Sequence, residues 1–209
     1  MNGTGQRGAA PGSDFARLEP GFRDAVRGSQ TCFRAVLDAM AHPGRVVTLP
    51  PSLDGAPPVP LGDAAAAVAL TLCDIDTPVW LDAAAAPAAG YLAFHCGAPL
   101  VDNPADARFA IIADPAAAPP LDRFALGSDE YPERSATLVI EAAGFGGDTG
   151  VGLRGPGIDR ETRFAVTELP ARFWRERAAL AELFPRGVDV LFACGSRLAA
   201  LPRSTQVIV

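Results

Sequence analysis

Not one of the 209 residues is lysine; the basic complement of 18 is arginine throughout. That absence excludes an internal aldimine to pyridoxal phosphate and a Walker-type lysine on a nucleotide phosphate. Histidine is nearly as scarce. The only two, His42 and His95, lie far apart and no H-x-x-x-H spacing occurs, so no metal site is expected. No G-x-S-x-G is present, which removes the nucleophile elbow of the α/β-hydrolases. The four cysteines, Cys32, Cys73, Cys96 and Cys194, form no C-x-x-C and no close pair. They read as packed free thiols in a reducing cytoplasm rather than as a disulfide framework. Apolar runs fall short of the roughly 18 residues that a membrane span needs. A net charge of −6 argues against nucleic acid, whose backbone needs a clustered basic face. The expectation is a cytoplasmic protein with no cofactor, no metal and neither membrane nor nucleic acid as a partner.

What is present is a chain of ordinary globular composition, 49% hydrophobic and 20% charged. Residues 1–18 are rich in Gly, Ser, Pro and Gln, lack the apolar stretch of a secretory signal, and read as a flexible tail. Residues 19–209 read as one domain. "SQTCFRAVLDAMAHPG" predicts a helix with Phe33, Val36, Leu37 and Met40 on its apolar face, Ser29 or an earlier residue near Phe22 at its start, and Pro43-Gly44 at its end. "RVVTL" reads as a strand. Asp63 reads as the N-cap of a buried helix, "AAAAVALTLC". "TPVWL" and "RFAIIAD" read as further strands, with a helix "GYLAFHC" between them. "SATLVIEAAG" is the longest strand candidate, and "VGLRG" is read as its antiparallel return. "LPARFWRERAALAELF" predicts a helix with Pro170 in its first turn and Phe173, Leu180 and Phe184 as its apolar stripe. "VDVLFACG" is a buried strand, after which "RLAALPRSTQVIV" runs on partly extended. Strands and helices alternating in this way predict a three-layer α/β/α single domain with a mixed β-sheet.

"GVGLRG" fits the dinucleotide-binding G-x-G-x-x-G letter for letter. A Rossmann loop must follow a strand and open a helix whose N-terminus holds the pyrophosphate. Here a glycine-rich turn precedes it and Pro156-Gly157 follows, so the match is read as chance among the seven glycines from Gly144 to Gly157. "GPGI" retains the option of an anion nest built on Gly155 and Gly157, with Arg154, Arg160 and Arg163 nearby; the alternative is a turn with solvated arginines. The densest polar run is "GSDEYPERSATL". Its Asp129, Glu130, Tyr131, Arg134 and Ser135 precede a strong strand, where a polar ligand or a partner could bind, or where a solvated turn could simply form. Arg203, with Ser204 and Thr205 after Pro202, is a second polar candidate. No residue is assigned a catalytic role.

Six segments in order carry a resemblance to a known family: "GFRDAVRGSQTCFRAVLDAMAHPGRVVTL", "LCDIDTPVWLD", "FHCGAPLVDNPADARFAII", "GSDEYPERSATLVIE", "LRGPGI" and "FWRERAALAELFPRGVDVLFACGSRLAALPR". Together, from about Gly21 to Arg203, they resemble the PhnH family of the bacterial carbon–phosphorus lyase system. The resemblance implies an accessory, non-catalytic subunit in phosphonate catabolism. It implies a core complex with PhnG, PhnI and PhnJ that supports formation of alpha-D-ribose 1-methylphosphonate 5-triphosphate from ATP and a phosphonate, with catalysis credited to PhnI. It also implies a homodimer when isolated and a fold similar to the major domain of pyridoxal-phosphate-dependent transferases. The missing lysine agrees with the loss of that cofactor. A subunit with its own nucleotide- or phosphonate-binding anion site, or a catalytic one, is the alternative.

Overall fold

A computed structural model describes residues 19–147 and 150–209. The expected tail, 1–18, lies outside the described residues. The first half of the chain gives α1 (Ala25–Ala41), β1 (Val47–Thr48), α2 (Asp63–Leu72), β2 (Val79–Leu81), α3 (Ala89–Cys96) and β3 (Phe109–Ile112). The second half gives β4 (Thr137–Glu141), β5 (Gly144–Phe145), β6 (Val151–Arg154), β7 (Thr162–Phe164), β8 (Val166–Thr167), α4 (Ala171–Leu180), β9 (Asp189–Cys194), β10 (Arg197–Leu201) and β11 (Gln206–Ile208).

Six strands form a mixed sheet in the order β1-β10-β9-β4-β3-β2. β2, β3, β4 and β9 run parallel, while β10 and β1 are antiparallel additions at one edge. The parallel strands read "VWL", "FAII", "TLVIE" and "DVLFAC", near-continuous apolar runs of the kind that bury both faces. Their side chains alternate between two cores. Ile111, Val139, Leu191 and Ala200 face α1, α2 and α3, and Ile112, Ile140, Phe192 and Leu201 face α4. This is the period of two that a strand imposes.

On the helical face α2 buries Ala64 through Ala69 without a break. Side chains this small let its backbone lie close to the sheet, and that closeness is why the helix is apolar all round. Gly62 occupies the N-cap position, and Asp63, expected there, sits inside the first turn without making a capping bond. α1 is capped by Asp24, whose Oδ1 accepts from the Val26 and Arg27 amides at 3.1 and 3.0 Å. Ser29 lies within the helix, its hydroxyl donating to Ala25 O at 2.6 Å. The buried stripe of α1 is Gly28, Cys32, Val36 and Ala39. Phe33 and Leu37, expected inside, are 46% and 51% exposed. The helix is turned by one residue from the expected face because its small side chains allow the close approach to its neighbours.

The layer opposite differs from the α/β/α expectation. It holds one long helix, α4, together with two small sheets, β11-β6-β7 and β5-β8. "VGLRG" is β6, but it does not return on β4. Both edges of β4 are taken by β3 and β9, so β6 pairs with β7 and β11 instead, Gly152 lying opposite Arg163 and Ile208. "RLAALPRSTQVIV" forms two strands rather than a loose tail, β10 in a tight hairpin with β9 and β11 beside β6. Pro170 is the N-cap of α4. Phe173 and Leu180 are buried, but Phe184 falls beyond the helix and is 61% exposed. An aromatic group of Phe164, Phe173, Trp174 and Phe192 fills this core, with Phe173 and Trp174 edge to face at 5.2 Å.

The turn "GPG" ties the two ends of this layer to α1. Gly157 has φ +81° and a Cβ there would stand 1.9 Å from Ala41 O. Gly157→Ala therefore meets both a left-handed backbone and a fixed carbonyl. It is expected to cost more than about 2 kcal/mol, read as a lowered urea midpoint.

Candidate functional site

The parallel strands β4 and β9 begin side by side, Thr137 opposite Asp189. The loop entering β4 and the turn that follows β10 bring together the two polar candidates of the sequence, which lie far apart in the chain. Arg203 is the hinge between them. Its backbone amide and Nε donate to Asp189 Oδ1 at 2.7 and 3.3 Å, and its Nη2 donates to Oδ2 at 2.6 Å. Its Nη1 donates to the carbonyl of Pro132, in the "DEYPERS" loop. The pair is mostly buried, at 20% and 12% side-chain exposure. It is the planar two-point contact that guanidinium and carboxylate make best.

Within the loop, Ser128 Oγ accepts from the Tyr131 amide at 2.9 Å, and Arg134 stacks over the Tyr131 ring, 4.2 Å from its centre. Asp129 pairs at 3.2 Å with Arg186 across the surface. Glu130 is exposed, and Ser135 is buried with no protein partner for its hydroxyl. The arginines around "GPGI" are engaged elsewhere. Arg154 is paired with Glu161 at 2.9 Å, Arg163 donates to Gly150 O at 2.7 Å and Arg160 lies at 3.9 Å from Asp159. Gly157 packs onto the C-terminal carbonyl of α1, and Gly155 faces the backbone of Ser204 and Thr205. "GVGLRG" is a strand followed by a turn, with no helix at its end.

Two features escaped the sequence reading. The first is Arg177, on α4, 1% exposed and donating to Pro202 O at 2.5 Å. Burial lowers it to about 10, an effect that Asp189 opposes. Its position between Trp174 and Leu180, at helical spacing on a buried face, was the available signal. The second is Glu141, the last residue of β4, at the opposite end of the sheet. Its Oε1 accepts from the Gly62 amide at 2.6 Å, at the start of α2. Burial pushes the carboxyl up to about 7, against that hydrogen bond. A single acid closing the apolar run "LVIE" was its only sequence mark.

The histidines hold structural positions. His42 is the C-cap of α1, with Nδ1 3.1 Å from Asp38 Oδ1. His95 lies against Tyr91 and 3.0 Å from Glu19 O. All four cysteines are free, and no group of three acid, His or Cys side chains among the described residues could hold a metal ion.

A family model described as "Bacterial phosphonate metabolism protein (PhnH)" matches residues 20–208. The chain belongs to the PhnH family. It is similar to the "Alpha-D-ribose 1-methylphosphonate 5-triphosphate synthase subunit PhnH" of Rhizobium meliloti (strain 1021), at 43% identity over 188 residues, covering 89% of this chain and 93% of that protein. It is also similar to the "Putative C-P lyase subunit protein HtxG" of Stutzerimonas stutzeri, at 31% identity over 99% of this chain and 96% of that one. In this PhnH-family chain the segments that carried the resemblance fold onto one another. "HPG" meets "LRGPGI" where Gly44 faces Leu153 and Thr162, and "GPG" meets "PRST" where Gly155 faces Ser204.

Two outcomes follow from this geometry. Asp189→Ala leaves the mostly buried Arg203 guanidinium without its carboxylate. It is expected to lower stability by about 3–5 kcal/mol in urea unfolding. Glu141 is protonated in the native state and ionised in the unfolded chain between its ordinary value, 4.5, and about 7. The native state binds more protons across that window, so stability falls as pH rises through it. Glu141→Gln keeps an acceptor for Gly62. It is expected to match the parent near pH 4.5 and exceed it by about 2 kcal/mol at pH 8, in urea midpoints measured along a pH series.

Proposed function

We propose that this chain is an accessory, non-catalytic subunit of a carbon–phosphorus lyase core complex. In that role it supports formation of alpha-D-ribose 1-methylphosphonate 5-triphosphate from ATP and a phosphonate. The observation that carries the reading is the near full-length 43% identity to a protein named as a subunit of that synthase. The partners are PhnG, PhnI and PhnJ, and the chain alone forms a homodimer. The exposed stripe Val26, Phe33 and Leu37 on α1 supports a role in association, because apolar side chains aligned on one helix face favour a partner over water. No helix among the described residues is long and apolar enough to cross a membrane, and the cytoplasm is the proposed place of action. The proposed kinship to the major domain of pyridoxal-phosphate-dependent transferases is supported by the open mixed sheet with helices on both faces. The absence of lysine removes the residue that would anchor that cofactor.

The reading is tested by co-expressing the tagged chain with PhnG, PhnI and PhnJ. Stoichiometric co-purification is expected, and the isolated chain is expected to show no turnover of ATP with methylphosphonate. Omitting the chain should lower the yield of assembled complex. If assembly and product formation were unchanged without it, the subunit reading would fail.

The second reading, a subunit with its own anion site, uses the residues Asp129, Glu130, Tyr131, Arg134, Ser135, Arg154, Gly155, Gly157 and Arg203. What favours it is the meeting of Arg203 with the Pro132 loop, which concentrates arginines at one end of the sheet.

A further inference from the structure

Helix α1 turns Gly28, Cys32, Val36 and Ala39 inward and larger apolar side chains outward. Val26, Phe33 and Leu37 are exposed and stand at i, i+7 and i+11, so they form one stripe along the outer face. Single exposed apolar residues are ordinary on a surface, but a row of them on one helix is the mark of an interaction face.

A second row runs beside the stripe. Arg27 and Arg34 are also seven residues apart, and both are exposed. The acids at either end of α1 are engaged elsewhere. Asp24 caps the first turn, its Oδ1 accepting from the Val26 and Arg27 amides. Asp38 lies 3.1 Å from His42 Nδ1 and 3.4 Å from Arg45 Nη1. Arg27 reaches Asp24 at only 3.7 Å, in an open-water pair of the kind that contributes little. Arg34 has neither a hydrogen bond nor an ion pair among the described residues. The outer face of α1 is therefore apolar and positive, on a chain whose net charge is −6.

That charge pattern selects the kind of partner. A second copy of this chain fits poorly. An antiparallel twofold contact on the stripe sets the two arginine rows on the same side of the interface, and a parallel one leaves each row facing no carboxylate. We propose that the outer face of α1 docks against a protein partner whose apolar groove is bordered on one side by carboxylates. Phe33 and Leu37 enter the groove, and Arg34, with Arg27 beside it, meets the acids. The apolar anchors supply most of the affinity, and the arginines supply register and the rate of encounter. α1 is already fixed by its cap and its buried stripe, so docking orders side chains and not a helix. This face rests on the subunit reading and names the chemistry of the partner's surface.

The test uses the full chain, tagged and co-expressed with PhnG, PhnI and PhnJ, with retention of the complex measured at about 50 and 500 mM sodium chloride. Phe33→Ser and Leu37→Asp are each expected to lower co-purification at least about tenfold. Arg34→Glu is expected to lower it about tenfold at low salt, and Arg34→Gln to lower it less and to flatten its salt dependence. All four positions of change are at the surface, so each variant is expected to keep the parent's Tm and, by light scattering, the parent's size when isolated. Arg34→Glu assembling as well as wild type, with wild-type assembly intact, overturns the acid-bordered groove alone. Leu37→Asp that changes the size of the isolated chain but leaves assembly untouched gives the face to a second copy and overturns the proposal. A wild-type chain that does not co-purify overturns the subunit reading and this face with it.

Discussion

β4 and β9 are separated by a long stretch of chain, yet they pair along their whole length, Thr137 to Asp189 at one end and Glu141 to Ala193 at the other. A parallel pair needs a crossover, and the crossover between these two strands carries β5 to β8, the "GPG" turn and α4. The pairing therefore decides where the second core lies, because Leu138, Ile140, Val190 and Phe192 must be covered on that face. It also decides where the charges lie. The strand starts carry Ser135 and Asp189, and the strand ends carry Glu141, so the two ends of one ladder hold the two perturbed polar environments of the molecule.

The charged cluster at the strand starts is costly as a structural device. Arg203 is ion-paired with Asp189, Arg177 is sealed in with its Nη2 donating to the Pro202 carbonyl, and Ser135 Oγ, Arg177 Nε and Thr205 Oγ1 lack protein partners. A purely structural solution would replace such a group with apolar side chains at little or no loss of stability. The cluster lies at the meeting point of segments that carry the family resemblance, Arg203 joining the Pro132 loop to the start of β9. The second polar environment, Glu141 against the first turn of α2, is better satisfied. Its hydrogen bond from Gly62 and the favourable end of the helix offset part of the desolvation.

Much of the architecture was legible from residue pattern. The runs "FAII", "TLVIE" and "DVLFAC" read as buried strands, and the all-round apolar "AAAAVALTLC" as an interior helix, as they are in the structure. α1 starts beside Phe22, the earlier of the two expected starts, because Asp24 caps it; Asp63 and the Phe33–Leu37 stripe were read from local preference, and the structure puts Gly62 at the cap and Cys32, Val36 and Ala39 on the buried face. "VGLRG" was assigned to the nearest strong strand in sequence, but that strand had no free edge. The candidate site was half legible. Arg203 and the "DEYPERS" loop were visible as polar clusters, whereas Arg177 looked like one more charge on an amphipathic helix until its face was shown to be the buried one.

Composition and motif order alone determined the α/β class, the absence of lysine chemistry and the family, because those depend on which residues are present and in what succession. Tertiary structure alone decided that Arg203 reaches both Asp189 and the Pro132 carbonyl, and that Arg177 is sealed in against the Pro202 carbonyl. It also decided that the fingerprint-like "GVGLRG" is a strand paired on both sides and followed by a turn that touches α1. The physical reason is range. Periodicity and turn chemistry act over a few residues, while the balance of buried charge is set by side chains that only the sheet's parallel crossover brings within a few ångströms of one another.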